Sequence, residues 1–145
     1  MQNDHIFFMR KCLELAGKAK GNGKTGVGSV IVRGRAIVGE GEEGDDELPP
    51  HLAHAELLAI NHAIQSGGNS DLSDCILYTT VEPCVMCSYV IRNTRISSVV
   101  IGATTGGVGG VSSRYPILIA DDIAAWGKPP LVVLGILEEE CQRAV

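Results

Sequence analysis

Cys75-Ile76-Leu77-Tyr78-Thr79-Thr80-Val81-Glu82-Pro83-Cys84-Val85-Met86-Cys87-Ser88-Tyr89-Val90-Ile91-Arg92 is the stretch from which the fold is read. Cys75 to Thr80 is a short apolar run rich in β-favouring residues, which predicts a strand. Pro83 stands where a helix can begin, because its missing N–H would have no partner in the first turn anyway. Cys84 to Arg92 then supplies the helix. A second strand over Ser98 to Ile101 and a third over Leu131 to Leu134 follow. Intervening helices predict that these last three strands run parallel. A helix is expected over Ile117 to Ala125 and another over Leu137 to Ala144. Gly102 to Ser113, with five glycines and no charge, is expected to be a mobile rim. It lacks the Gly-Lys-Ser/Thr ending of a phosphate loop.

Upstream, residues 5–20 place Ile6, Met9, Leu13 and Ala16 at helical spacing, with Lys11 and Lys18 opposite. Gly28 to Val32 and Ala36 to Val38 form a hairpin across Arg33-Gly34-Arg35. Glu40 to Pro50 is an acidic loop. Its two closing prolines set the next helix to start near His51 or Ala53 and to run, apolar on most faces, to Gln65. Strands alternating with helices predict a three-layer α/β/α domain with a central five-stranded mixed sheet flanked by helices. The 145 residues fit one domain spanning 1–145.

Composition narrows the function. No apolar run approaches the ~20 residues that span a bilayer. The opening Asp4 and His5 give no sign of a signal peptide. Five cysteines do not make a disulfide framework, so a cytoplasmic protein with reduced thiols is expected, with Cys12, Cys75 and Cys141 as small core residues. The net charge of −5 is uneven. Residues 1–35 carry seven Lys/Arg against two acids, whereas 36–74 carry nine acids and no Lys or Arg. Six aromatics offer few stacking platforms. The basic first third reads as a solvated helix face and hairpin edge, with an RNA-binding patch as the alternative.

Two short motifs carry chemistry. His54-Ala55-Glu56 and Pro83-Cys84-Val85-Met86-Cys87 each fall at a helix start, thirty residues apart. One imidazole and two thiolates suit Zn²⁺ and leave a fourth position for water. Cysteines at i and i+3 share one side of the first turn, where free backbone N–H groups favour thiolates. Glu56 points away from His54 on an ideal helix. It suits a proton shuttle beside a zinc-activated water better than a fourth ligand. His5, His51 and His62 read as surface or helix-face residues.

H-x-E followed by P-C-x-x-C resembles the cytidine/deoxycytidylate deaminase superfamily, whose signature it is. Gly28 to Val32, Gly39-Glu40-Gly41, Leu77 to Thr80 and Ile96 to Gly102 extend the likeness across about residues 5–105. The resemblance implies the cytidine-deaminase-like fold, His54, Cys84 and Cys87 as zinc ligands, Glu56 as the proton shuttle and a homodimer. It also implies that Gly28, Ala55, Glu82, Glu43 and Asp45 border the substrate. Related deaminases of small bases and of tRNA carry a base-binding asparagine eleven residues before the histidine ligand. Here that position is Glu43, an acceptor only, facing either substrate or solvent. Asp45 is a second acceptor, suited to a sugar hydroxyl.

The tRNA-editing relatives end in a basic helix, whereas Leu137 to Val145 is acidic. Phosphate contacts dominate RNA affinity, so nucleic acid is expected to be an unlikely partner. The leading expectation is therefore a zinc hydrolase that releases ammonia from a free aminated nucleobase or related heterocycle, like cytosine or guanine deaminase. The second reading is tRNA adenosine deamination. The third is a non-catalytic zinc-stabilised binding module, which would have no use for Glu56.

Overall fold

The computed structural model describes residues 2–145. A helix α1 (Gln2–Gly21) is followed by the hairpin β1 (Gly28–Arg33) and β2 (Ala36–Glu42), then α2 (Ala55–Gly67). Next come β3 (Cys75–Val81), α3 (Val85–Asn93) and β4 (Ser98–Ala103). A 3₁₀ turn (Ala124–Trp126), β5 (Leu131–Val133) and α4 (Glu138–Ala144) complete the chain. The sheet order is β2-β1-β3-β4-β5. β1 is antiparallel to β2 and β3, while β3, β4 and β5 run parallel. This is the expected five-stranded mixed sheet, flanked by four of the five expected helices.

Period-two alternation splits the sheet between two cores. Ile31, Leu77, Val99 and Ile101 face α2 and α3. Val30, Val32, Tyr78 and Val100 face α1 and α4, meeting Phe8, Met9, Cys12 and Cys141. β2 extends to Glu42, four residues beyond the expected end at Val38. Gly39 and Gly41 make this possible, because a Cβ at either would run into the backbone of α2. The glycines let the helix that carries the first motif lie directly on the strand.

Three other expectations are corrected. α2 starts at Ala55, since residues 48–53 form turns in which Leu52 N–H donates to Pro49 O. No α-helix forms over Ile117 to Ala125, where only the 3₁₀ turn appears. The Ile117 and Leu118 carbonyls instead accept from the Arg92 guanidinium, at 2.7 and 3.2 Å. The glycine-rich rim is held rather than loose: β4 takes residues up to Ala103, and three backbone N–H groups beyond it donate to Glu82.

Candidate active site

Both motifs sit where a helix begins. His54 is the residue capping α2 (φ −80°, ψ 139°), and Cys84 caps α3 (φ −71°, ψ 176°). Extended backbone at these caps turns each side chain back across the helix entrance instead of along its side. Cys87 follows in the first turn of α3, buried, while His54 and Cys84 are half-buried. Val85 N–H donates to Val108 O (2.9 Å) and Gly110 N–H to Pro83 O (2.7 Å), so the Cys84 turn is gripped on both sides.

The His54, Cys84 and Cys87 ligand atoms lie within 4.8 Å of one another. The His54 Nδ1 stands 3.6 Å from Cys84 Sγ and 3.4 Å from Cys87 Sγ. Tetrahedral zinc with bonds of about 2.3 Å to sulfur and 2.0 Å to nitrogen has an S···N edge of about 3.5 Å. The donor set and the spacing therefore fit Zn²⁺. The Cys87 thiol, backbone N–H groups of Cys87 and Met86, and His54 pull the Cys84 thiol down to about 5 against its partial burial. Cys87 is pushed upward by Cys84 beside it, by burial and by the nearby carboxylates. A divalent cation between them reverses that penalty, because it favours both thiolates. His5, His51 and His62 stand apart from this cluster; His5 pairs with the Tyr78 hydroxyl at 2.9 Å, and His62 Nδ1 accepts the Glu40 N–H at 3.0 Å.

Glu56, one residue into α2, is only 4% exposed. Burial pushes its carboxyl up to about 8, and the negative charges of Glu43 and Cys84 act the same way. A carboxyl so placed can hold a proton near neutrality and release it once a cation lies alongside. Glu43 is half-buried, and its Oε1 accepts the Ala55 N–H at 2.9 Å. Burial raises its pKa, while Ala55 and His54 draw it back down. Glu43 and Ala55 thus adjoin the ligand cluster. Asp45 sits further along the loop, accepting the Glu47 N–H at 2.8 Å.

Gly28 lies under α1, where a Cβ would meet the backbone of Cys12 and Ala16, and its N–H donates to Thr80 Oγ1 at 3.2 Å. Glu82 is buried. Its Oε1 accepts from Thr105 N–H (2.9 Å) and Ser112 Oγ–H (2.6 Å), and its Oε2 from Val111 N–H (2.7 Å) and Ser112 N–H (2.6 Å). Four donors fill the roughly four lone-pair directions of an ionised carboxylate. Burial works to raise the Glu82 pKa, but these donors outweigh it and hold the carboxyl below its ordinary value. Sequence reasoning missed the 104–113 segment as a wall beside the Cys84 turn. The available signal was a lone acid ahead of a glycine-rich, charge-free run with unpaired N–H groups.

A strand-and-helix scaffold that joins one histidine and two cysteines at facing helix starts, with a buried carboxylate beside them, defines a zinc-dependent hydrolytic deaminase. Residues 2–103 match the cytidine and deoxycytidylate deaminase zinc-binding region, and the chain belongs to that family. It is 40% identical over 115 residues, 79% of this chain and 67% of the relative, to a tRNA-specific adenosine deaminase of Streptococcus pyogenes serotype M1. A structure from a study of A-to-I editing by tRNA:A34 deaminases aligns with a TM-score of 0.87 at 28% identity, covering 96% of this chain and 99% of the other. Guanine deaminase of Bacillus subtilis aligns with a TM-score of 0.64 at 36% identity, covering 68% and 63%.

Two expectations are overturned by these likenesses. A free-base substrate was expected and nucleic acid was set aside, yet the relative and the structure that match this chain over most of their length are deaminases of tRNA. The acidic C-terminal residues misled because they serve the fold: Glu138, Glu139 and Glu140 form the first turn of α4, where negative charge offsets the helix dipole. When bound, zinc supplies Lewis acidity that makes water a nucleophile near neutral pH. The buried Glu56 carboxyl is chemically able to take up and release a proton near neutral pH. Among the described residues no helix is long and apolar enough to cross a membrane.

Proposed function

We propose that this chain deaminates adenosine to inosine within tRNA. The likeness to the tRNA:A34 deaminase structure over 96% of one chain and 99% of the other carries the reading. Within it, His54, Cys84 and Cys87 hold zinc, Glu56 moves the proton and Glu43 meets the substrate with Ala55. The half-buried His54 and Cys84 leave the centre within reach of a base presented on a polymer. The chain would act as one domain in the cytoplasm, consistent with five free thiols among the described residues. A homodimer is favoured by the exposed Met86 and Tyr89 on α3.

The deciding experiment incubates the zinc-loaded protein with tRNA carrying adenosine at the first anticodon position, and separately with free adenine, guanine and cytosine. Inosine in tRNA with no ammonia from the free bases is expected. Ammonia from a free base with no inosine in tRNA would sink the reading. Light scattering of the same preparation tests the dimer, which a mass of one chain would exclude.

A further inference from the structure

Glu82 separates β3 from the Cys84 turn, and each of its carboxylate bonds runs to residues 105–112. That segment returns to the metal-ligand turn. Val108 O takes the Val85 N–H, Pro83 O takes the Gly110 N–H, and Cys84 pairs with Gly109 in an antiparallel bridge. Gly109 lies so close to the Glu82 carboxylate that a Cβ there would run into both oxygens. Cys84 is therefore framed by two backbone bonds from a loop whose shape depends on one buried side chain.

We infer that Glu82 is a positioning residue for the zinc site, acting through residues 105–112 to hold the Cys84 backbone in the extended cap conformation that aims its thiolate at the metal. Its acceptor positions are all filled within the chain, which leaves it none for substrate. The segment contributes no charged side chain between 102 and 113, so the carboxylate is the anchor around which its N–H groups converge. Outer partners of this kind commonly alter metal affinity by about 10–100-fold when removed.

The test uses the zinc-loaded protein without any nucleic acid, so its result stands apart from the tRNA reading. Zinc dissociation constants are measured by competition with a chromogenic chelator, and the cobalt-substituted form is recorded for its thiolate-to-metal absorption. Glu82→Gln should weaken zinc binding by about 10-fold or more and alter the cobalt absorption. Ser112→Ala removes the hydroxyl donor to Glu82 Oε1 and keeps its three backbone N–H donors, releasing only the Gly106 N–H that the hydroxyl accepts at 3.0 Å. It should fold and weaken zinc severalfold, so it carries the test if the Gln variant does not fold. A merely structural Glu82 would lower the melting temperature while leaving zinc affinity and the cobalt spectrum unchanged. That outcome in a folded Gln variant, or unchanged zinc affinity in Ser112→Ala, overturns the inference.

Discussion

Arg92→Met isolates the contribution of a buried cation that has no carboxylate partner. Arg92 is 3% exposed, and no ion pair among the described residues includes it. Its guanidinium donates to the carbonyls of Ile117 (2.7 Å), Leu118 (3.2 Å) and Gly127 (3.4 Å) and sits 5.0 Å from the Trp126 ring centre. Methionine keeps most of the stem but no donor. Leu118 is fully buried, so its carbonyl loses a partner that water does not replace, which costs about 1–3 kcal/mol. Losing the cation–π contact adds about 0.5–2 kcal/mol. The more exposed Ile117 and Gly127 carbonyls can turn to water. The desolvation cost of the buried charge is recovered and offsets part of the loss. The net expectation is about 2–3 kcal/mol, a fall in Tm of about 8 °C for a chain of this size.

Trp126 makes the assay local, because it is the chain's one tryptophan and packs on the mutated residue. Its emission should shift to the red, and hydrogen exchange should quicken over residues 115–127 while β3 stays protected. Arg92→Lys, a point charge in place of a fork, should fall between the two. A Met variant that melts within about 1 °C of wild type with unchanged Trp126 emission would refute the reasoning, because the guanidinium would then hold nothing in place.

Glu56→Gln should keep zinc while turnover on tRNA falls by at least ~10²-fold, checked by metal analysis beside steady-state kinetics. Cys87→Ala should drop zinc well below the roughly one ion per chain that a three-ligand site holds, with a lower Tm, both read on the purified protein. Gly28→Ala forces a methyl against the backbone of α1, where no side chain can yield, and should destabilise by about 3 kcal/mol in a denaturant titration. Glu43→Asn exchanges an acceptor for a group that also donates; it should change kcat/KM for tRNA by at least about 10-fold with zinc retained, and equal values would place Glu43 outside the substrate contact.

The sheet and the ligand triad were legible because both are written in local patterns. The apolar alternation of β3 and the proline that opens α3 fix a strand-to-helix turn, and Cys84 and Cys87 ride on it. Where the reading went astray, the deciding partner lay far along the chain. The apolar run over 117–125 looks helical by spacing, but its first carbonyls are taken by Arg92, 25 and 26 residues upstream. The glycine run after β4 looks loose by composition, yet Glu82 collects its N–H groups from as far as 30 residues away. β2 runs on through Gly39 and Gly41, because glycine, which weakens a strand in isolation, here admits α2. Such pairings depend on tertiary packing that no window of sequence contains.

The choice of substrate failed for a different reason: charge was summed along the chain instead of being placed in space. β1 begins beside the site, since Gly28 N–H reaches Thr80 and Val27 O accepts the Glu43 N–H at 3.0 Å. The end of α1 and Lys24 therefore lie toward that side, with the Lys24 stem against Gly44. Lys20 Nζ, 3.4 Å from Arg143 O and 3.1 Å from Val145 O, ties the end of α4 to the same region. Of the three glutamates in the first turn of α4, Glu139 pairs with Arg143 one turn on, at 3.9 Å. Part of the acidic charge of α4 is thus answered within the helix itself, and exposed charges more than about 10 Å from a phosphate are largely screened at 0.1 M salt. A net charge of −5 therefore does not decide against an RNA substrate, because affinity depends on where cations meet phosphates and not on the sum.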